Sequence, residues 1–312
     1  MTAKELFEAL KGQLNAIVRN QDALTNFGLI AALAGGHILI EGVPGLAKTL
    51  WARVFAASVG VDFARTQFTS DLMPADILGT KVFNQKSAEF ELRKGPLFTQ
   101  LFLADEINRT PPKTQSALLE VMEERSITLD GETYKMQEPF FVMATQNPIE
   151  FEGTYPLPEA LLDRFMMKIS VGYPGVVAEK EVLRACADGF EHMRLTLTPV
   201  CSAEDFGNAR EEIKAVTVED GILDYALSIV ETTRRIGVAL YGASPRASVA
   251  LLLSAKALAA TEGRDYVIPD DIKTLAPHIL SHRVILKPEA EMNGVKPEEV
   301  VLNVLSQIKV PR

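Results

Sequence analysis

The feature that most constrains the fold is a glycine-containing octet, G-V-P-G-L-A-K-T, that runs from Gly42 to Thr49. It follows the short apolar run HILIE and precedes the helical stretch LWARVFAASV. A strand, a glycine loop and a helix in this order begin an α/β unit. The octet matches the phosphate-binding pattern G-x-x-x-x-G-K-[ST] except at Ala47, where the pattern has glycine. The competing interpretation is a glycine turn followed by a surface lysine.

Phosphate binding by such a loop depends on its backbone N–H groups, which need little side-chain bulk around them. Ala47 adds only one methyl group at the position of the expected glycine. In this pattern Lys48 reaches the β- and γ-phosphates of a nucleotide, and the Thr49 hydroxyl binds Mg²⁺. The residues that the loop predicts to bind ATP are Gly42, Val43, Pro44, Gly45, Leu46, Ala47, Lys48, Thr49 and Leu50.

Two acidic residues follow a second apolar run, in the segment L-F-L-A-D-E. The tip of a strand is where an α/β sheet presents its functional groups. We expect Asp105 to hold the Mg²⁺ shell and Glu106 to act as the general base that polarises the attacking water. The alternative is a chain that merely reaches the surface after a buried strand.

A third polar tip follows the run FFVMAT, where Gln146 and Asn147 come next in the chain. An amide at this place can orient the attacking water or sense the γ-phosphate. The alternative is an Asx-type turn before Pro148.

The order of apolar runs predicts an α/β core followed by helices. Buried-strand candidates are His37–Glu41, Leu101–Asp105, Phe140–Thr145 and Phe165–Val171. Helical stretches separate Leu101–Asp105 from Phe140–Thr145, which fits a parallel sheet covered on both faces. After about Gly175 the sequence has helical periodicity and no convincing strand. We therefore predict a core over residues 1–174 and an all-helical domain over 175–312.

Composition narrows the class of protein. The chain has 312 residues and a net charge of −9, which gives no general footprint for nucleic acid. Its two cysteines cannot form a disulfide framework. The longest apolar stretch, Phe27 to Ile40, is too short to span a bilayer. These features predict a cytoplasmic protein without a transmembrane segment.

Together these segments resemble the AAA+ ATPases and, more narrowly, the MoxR family. The resemblance covers nearly the whole chain, follows the family's order, and includes Ala47, which belongs to the MoxR-type pattern. The segments that carry it are GGHILIEGVPGLAKT, LFLADEINRTPPKTQSALLEVMEE, FFVMATQNPIEFEGTYPLPEALLDRF and YGASPRA.

The resemblance implies roles for four further groups. Asp105 and Glu106 look like the second nucleotide motif, and Asn147 looks like sensor 1. Arg164, in ALLDRF, looks like the arginine finger, and Arg246, in GASPRA, looks like sensor 2 at the start of a lid helix. An arginine that completes a neighbour's site raises the rate by orders of magnitude and makes activity depend on assembly. The alternative for Arg164 is a structural ion pair with nearby Glu159 or Asp163.

Two inserts fit the same family. The stretch from Asp71 to Gly95 contains two potential strands and resembles the helix-2 insert. The segment SITLDGETYKM has Asp130-Gly131 between β-compatible flanks, which is a strong hairpin signal, and it resembles the pre-sensor-1 hairpin. We therefore expect a P-loop core with two β-hairpin inserts and a helical lid.

The family resemblance implies a Mg²⁺- and ATP-dependent chaperone or remodeller that forms a homo-oligomer, with a hexameric ring as the family expectation. It further implies a separate protein client, often a metalloenzyme or another assembly, and a separate adaptor with a von Willebrand factor A domain. One alternative is an MCM-like nucleic-acid motor, whose hairpins need cations to track phosphates. The hairpin tip here is Asp130-Gly131-Glu132, with only Lys135 nearby, so nucleic acid is not the expected partner. Another alternative is a nucleotide-gated scaffold with little turnover, against which Glu106, Asn147 and Arg164 argue.

Overall fold

The strands and helices of the protein are defined by a computed structural model that describes residues 1–148, 153–173, 175–187 and 197–311. The helices are Ala3–Ile17 (α1), Asp22–Leu33 (α2), Lys48–Val59 (α3), Pro74–Leu78 (α4), Pro112–Glu124 (α5), Glu159–Leu162 (α6), Val176–Ala187 (α7), Ala203–Ala215 (α8), Asp220–Arg235 (α9), Pro245–Thr261 (α10), Pro269–Leu280 (α11), Pro288–Met292 (α12) and Pro297–Gln307 (α13). The strands are Ile38–Glu41 (β1), Phe63–Gln67 (β2), Gly79–Asn84 (β3), Glu89–Lys94 (β4), Leu101–Asp105 (β5), Ser126–Leu129 (β6), Glu132–Lys135 (β7), Phe141–Gln146 (β8), Met167–Ser170 (β9), Ala239–Tyr241 (β10) and Ile285–Leu286 (β11).

The central sheet has five parallel strands in the order β2-β5-β8-β1-β9. The predicted α/β fold with a parallel sheet is confirmed, and four of its strands coincide with the apolar runs of the sequence. The sequence gives no such signal for β2, because this edge strand is only partly buried and reads F-A-R-T-Q. An edge strand with one covered face does not need a continuous apolar run.

Successive side chains of the strands point to opposite faces of the sheet, and each face has its own core. Ile38 and Ile40 of β1 pack with α1, α2, α3 and several C-terminal helices. Leu39 points the other way, into a second core with Ile77 of α4 and Leu118 of α5. The sheet is therefore covered on both faces, as expected for parallel strands.

Both predicted hairpins are present. β3 pairs with β4 in antiparallel register, and β6 pairs with β7 around a two-residue turn at Asp130-Gly131. These two turn residues have φ values of 49° and 84°, as a type I′ turn requires. Lys81 of β3 forms an ion pair with Glu132 of β7 at 3.0 Å, which joins the two hairpins.

The C-terminal part of the chain is helical, from α7 to α13, as predicted. It also contains a two-stranded antiparallel sheet, β10–β11, which corrects the expectation that no strand occurs there. These strands have three and two residues, so neither is long enough to show a periodic pattern in the sequence.

The N-terminal helices share one core with the C-terminal helices. α1 packs against α8 and α10, and α2 also contacts α10. The predicted boundary between residues 174 and 175 stays a prediction, and residue 174 lies outside the described residues. Within the described ranges, no helix is long and apolar enough to cross a membrane.

Candidate nucleotide site

The loop from Gly42 to Thr49, here called the phosphate loop, connects β1 to α3. The Gly42 N–H donates to the Gln146 carbonyl at 3.2 Å, which ties the loop to the end of β8. A Cβ at Gly42 would lie 2.6 Å from the Val171 carbonyl oxygen, so the close approach of β9 requires glycine here. The loop therefore occupies the carboxyl edge of the sheet, where parallel strands present ligand-binding groups.

Ala47 has a left-handed backbone, with φ 55° and ψ 17°, immediately before the first residue of α3. Glycine adopts this conformation without a steric penalty, whereas the Cβ of any other residue costs about 1–2 kcal/mol. The general pattern has glycine at this position for that reason. The alanine is thus the smallest residue that still carries the penalty.

Lys48 is buried and folds back onto its own loop. Its ammonium donates to the carbonyl oxygens of Gly42 and Val43, the latter at 3.2 Å. Burial lowers the pKa of Lys48, while the charges of Asp105 and Glu106 act in the opposite direction. The lysine is therefore a desolvated cation that faces two carboxylates.

Asp105 and Glu106 follow β5 and are held by an ordered set of polar partners. Asp105 accepts a hydrogen bond from the Thr145 hydroxyl at 2.6 Å and forms an ion pair with Arg65 at 2.7 Å. The Glu106 carboxylate accepts from the Gln67 amide at 2.6 Å. Glu106 has φ 56°, a left-handed conformation that is uncommon outside glycine and that is often found at functional sites.

These groups line one cavity of about 430 Å³. The structure thus brings together the phosphate loop, Asp105, Glu106 and Asn147, which the sequence predicts as parts of one site. Asn147 is 5% exposed at the end of β8. Leu50 also lines the cavity, whereas Gly42 and Val43 contribute through the carbonyls that hold Lys48.

Three lining residues are not among the predicted ones: Arg65, Gln67 and Thr145. Arg65 and Gln67 lie on β2, the strand that the sequence does not reveal, and they point toward Asp105 and Glu106. Thr145 is the residue before Gln146 and lies directly beside the acidic tip of β5. The only sequence signal for Arg65 and Gln67 is their spacing of two residues, which places both side chains on the same face of a strand.

Arg164 and Arg246 do not line this cavity. Arg164 lies just before β9, and the neighbouring Met166 N–H donates to the carbonyl of His37, the residue before β1. The phosphate loop follows the other end of β1, which spans about 13 Å at roughly 3.3 Å per residue. The two predicted arginines are therefore at the amino edge of the sheet, opposite the phosphate loop.

A second cavity, of about 260 Å³, lies at that amino edge and is here called the arginine cavity. Among its lining residues are Gly35, Gly36, His37, Glu123, Arg125, Asp163, Arg164, Arg246 and Arg283. One carboxylate, that of Glu123, pairs with both Arg164 and Arg246. Asp163 instead binds Arg283 at 2.8 Å, so the ion-pair partner of Arg164 is Glu123 and neither Glu159 nor Asp163.

Two family models match separate parts of the chain. The ATPase family associated with various cellular activities (AAA) matches residues 37–167, and the AAA lid domain matches residues 232–304. The chaperone MoxR1 of Mycobacterium tuberculosis is 43% identical over 96% of this chain and 81% of its own length. The chain belongs to the MoxR family of AAA+ ATPases. The YeaC protein of Bacillus subtilis is 49% identical over 96% of this chain and 92% of its own length.

The fold of this MoxR-family chain agrees with a solved structure. A protein of Cytophaga hutchinsonii that is assigned as an ATPase superposes with a TM-score of 0.91, covering 99% of this chain and 96% of that one at 42% identity. The family models and this structural match therefore establish the AAA+ fold with its helical lid. They also establish membership of a nucleotide-binding ATPase family. The roles of individual residues remain predictions that rest on the geometry described above.

Proposed function

We propose that the protein is a Mg²⁺-dependent ATPase that couples ATP hydrolysis to the remodelling of a protein client. The observation that carries the proposal is the convergence of Lys48, Asp105, Glu106 and Asn147 on one cavity beside the phosphate loop. A lysine, a metal-binding carboxylate and a base at the edge of a parallel sheet are the parts that phosphoryl transfer needs.

Lys48 would exchange its two loop carbonyls for the β- and γ-phosphate oxygens of bound ATP. The Thr49 hydroxyl and the Asp105 carboxylate, which both line the cavity, offer the oxygen ligands that Mg²⁺ prefers. The ion would neutralise charge on the transferred phosphoryl group.

Glu106 would polarise the attacking water. Its carboxylate is oriented by the Gln67 amide at 2.6 Å and by Arg109 at 3.1 Å. Asn147, buried beside it, would position the same water or the γ-phosphate. Each of these groups acts by orientation and electrostatics, because phosphoryl transfer needs little covalent chemistry from the protein.

The substitution Glu106→Gln tests this assignment. We expect the variant to bind ATP with about the affinity of the unchanged protein and to lose at least about a hundredfold in turnover, because the amide cannot accept the proton. Glu124→Gln, an exposed glutamate on α5, is the matched control and should leave both quantities unchanged. Turnover at the unchanged rate in Glu106→Gln would refute the assignment of the base.

Arg164 and Arg246 would act on the nucleotide of a neighbouring protomer. Their position at the edge of the sheet opposite the phosphate loop supports this, and so does their common partner Glu123. The proposal implies a closed ring, with a hexamer as the family expectation.

Mixed assemblies test the shared site. Arg164→Ala protomers keep an intact phosphate loop, and Lys48→Ala protomers keep intact arginines. Co-assembly of the two variants should restore part of the turnover that each lacks alone. At some interfaces the intact phosphate loop of an Arg164→Ala protomer then meets the intact arginines of a Lys48→Ala protomer. Absence of restored turnover in assemblies that contain both variants would count against action on a neighbour.

The client side of the proposal rests on the family. The relative from Mycobacterium tuberculosis is named a chaperone, which supports a protein client for this chain. We propose that the client is reached through a separate adaptor with a von Willebrand factor A domain, and that metalloenzyme assembly is one such task. The cytoplasmic location stays a prediction from the sequence. Affinity purification of the Glu106→Gln variant in its ATP-bound state, followed by mass spectrometry, would identify both partners.

A further inference from the structure

Glu123 is the last-turn glutamate of α5 that lies between the two arginines of the arginine cavity. We propose that Glu123 is a positioning residue, which holds Arg164 and Arg246 side by side so that both meet the phosphates of a neighbouring protomer as one unit. This inference rests on the proposed site shared between protomers, and it adds Glu123 to the residues that form that site.

The contacts divide one carboxylate between two guanidinium groups. The Oε2 atom of Glu123 accepts from Nη2 of Arg164, and its Oε1 atom accepts from Nη2 of Arg246 at 2.9 Å. A guanidinium has five N–H donors, so each arginine keeps donors for a further ligand after it has paired with Glu123. Bridging by Glu123 is therefore compatible with simultaneous contact to a phosphate.

Arg164 is fixed in place and still has an unused buried donor. Its Nη1 atom donates to the Ala160 carbonyl at 2.9 Å, and its side chain is 18% exposed. Among the residues that the structure describes, its buried Nε atom has no hydrogen-bond partner. This donor is therefore left unused by the described part of the protomer.

The two arginines come from different parts of the chain. Arg164 follows α6 in the core, whereas Arg246 lies in the first turn of α10 in the C-terminal helical part. Ser244, at the start of α10, also donates to Asp163 at 3.0 Å. The Ser244–Asp163 hydrogen bond joins the two parts of the chain beside the arginines, and Glu123 joins the two guanidinium groups themselves.

Charge balance makes Glu123 hard to replace. The other nearby carboxylate, Asp163, is paired with Arg283, whose guanidinium is buried. Burial, and next the charge of Arg246, lower the pKa of Arg164. Without the Glu123 charge the two neighbouring cations would repel each other, and the more exposed Arg246 would swing toward solvent.

Removal of the Glu123 charge should therefore lower ATP turnover without weakening nucleotide binding by the same protomer. Glu123 is at the amino edge of the sheet, and the phosphate loop is at the carboxyl edge. A Glu123→Gln protomer should therefore bind a fluorescent ATP analogue within about twofold of the unchanged affinity, while its assemblies lose at least about tenfold in kcat. Glu124→Gln, which removes the same charge from the next residue, is the matched control and should lose neither.

The decisive experiment co-expresses differently tagged Glu123→Gln and Lys48→Ala protomers and purifies them through both tags, so that every assembly contains both. The Lys48→Ala protomer offers correctly held arginines to the intact phosphate loop of the Glu123→Gln protomer. We expect the mixed assemblies to regain several-fold turnover over either variant alone. Glu123→Asp, which keeps the charge but has a shorter reach, should show a smaller defect that recovers in the same mixture, and it replaces the glutamine variant if that one does not fold.

The outcomes separate this inference from the proposal beneath it. Recovery for Arg164→Ala but not for Glu123→Gln in the same mixing assay would overturn the positioning role. Unchanged kcat in Glu123→Gln would overturn it as well. If Arg164→Ala itself keeps full turnover, or is not restored by Lys48→Ala protomers, the shared site is wrong and the positioning role falls with it.

Discussion

Acid should destabilise the protein through His37, the residue just before β1. Its ring is buried between β8 and α5: the Val142 N–H donates to Nδ1 at 3.0 Å, and Nε2 lies 3.4 Å from the Met122 carbonyl. Nδ1 is therefore an acceptor and the ring is neutral. Burial, and next the charge of Arg125, lower the pKa of His37 from 6.5 to about 4.

The size and direction of the effect follow from these two pKa values. Above pH 6.5 the histidine is neutral in both the folded and the unfolded chain, so stability is at its full value. Between 6.5 and about 4 the unfolded chain binds a proton that the folded chain excludes. The difference is worth about 3–4 kcal/mol at about 1.4 kcal/mol per pKa unit, and about 2 kcal/mol of it is lost by about pH 5.

Urea unfolding at about pH 7 and about pH 5 measures this loss in the unchanged protein and in a His37→Gln variant. The variant is expected to be less stable at pH 7, because it disturbs two buried hydrogen bonds, but to lose about 2 kcal/mol less on acidification. The pH dependence is the informative quantity, since packing damage alone shifts both measurements equally. Equal losses in the two proteins would refute the assignment of a neutral, proton-excluding His37.

Two further predictions concern the phosphate loop and its helix. Gly42→Ala should weaken ATP binding at least about tenfold, because the added Cβ would lie 2.6 Å from the Val171 carbonyl oxygen and displace the loop. Gly172→Ala, whose added Cβ meets open space, is the control. An equal Kd of ATP for both variants would contradict the prediction. Trp51→Ala should lower the free energy of unfolding by about 3–5 kcal/mol, because Trp51 is fully buried, stacks on Phe55 and donates a hydrogen bond to Thr25. A loss below about 1 kcal/mol in denaturant unfolding would contradict this, since it would mean that neighbouring side chains fill the space left by the indole.

The sequence was sufficient for the parts of the site that follow local rules. The phosphate loop, Asp105 and Glu106 are each a short pattern next to an apolar strand, and the edge of a parallel sheet then brings them together. Arg65 and Gln67 escaped prediction because their strand, β2, is a partly exposed edge strand without an apolar run. Their roles depend on lateral pairing with β5, which a single sequence does not encode in a readable form.

Glu123 shows a different reason for a missed residue. It stands in the helical run LLEVMEE beside other glutamates, and nothing in its spacing distinguishes it from a solvated helix face. Its two cationic partners both come from elsewhere in the chain: Arg164 follows α6, and Arg246 is brought in by α10, more than a hundred residues away. The short strands β10 and β11 were missed for a simpler reason, since they are too short to show periodicity.

The core that α1 and α2 share with α8 and α10 bears on how the chain can be made. The first two helices leave the ribosome early, whereas the helices that cover their apolar faces are among the last third to be synthesised. At about 5–20 residues per second, the part of these faces that α8 and α10 cover waits for its partners for on the order of tens of seconds. During that interval the part of the α1 and α2 surface that α8 and α10 cover in the finished fold is open to other nascent chains. Expression level and growth temperature should thus influence the yield of folded protein more than the stability of the finished fold would suggest.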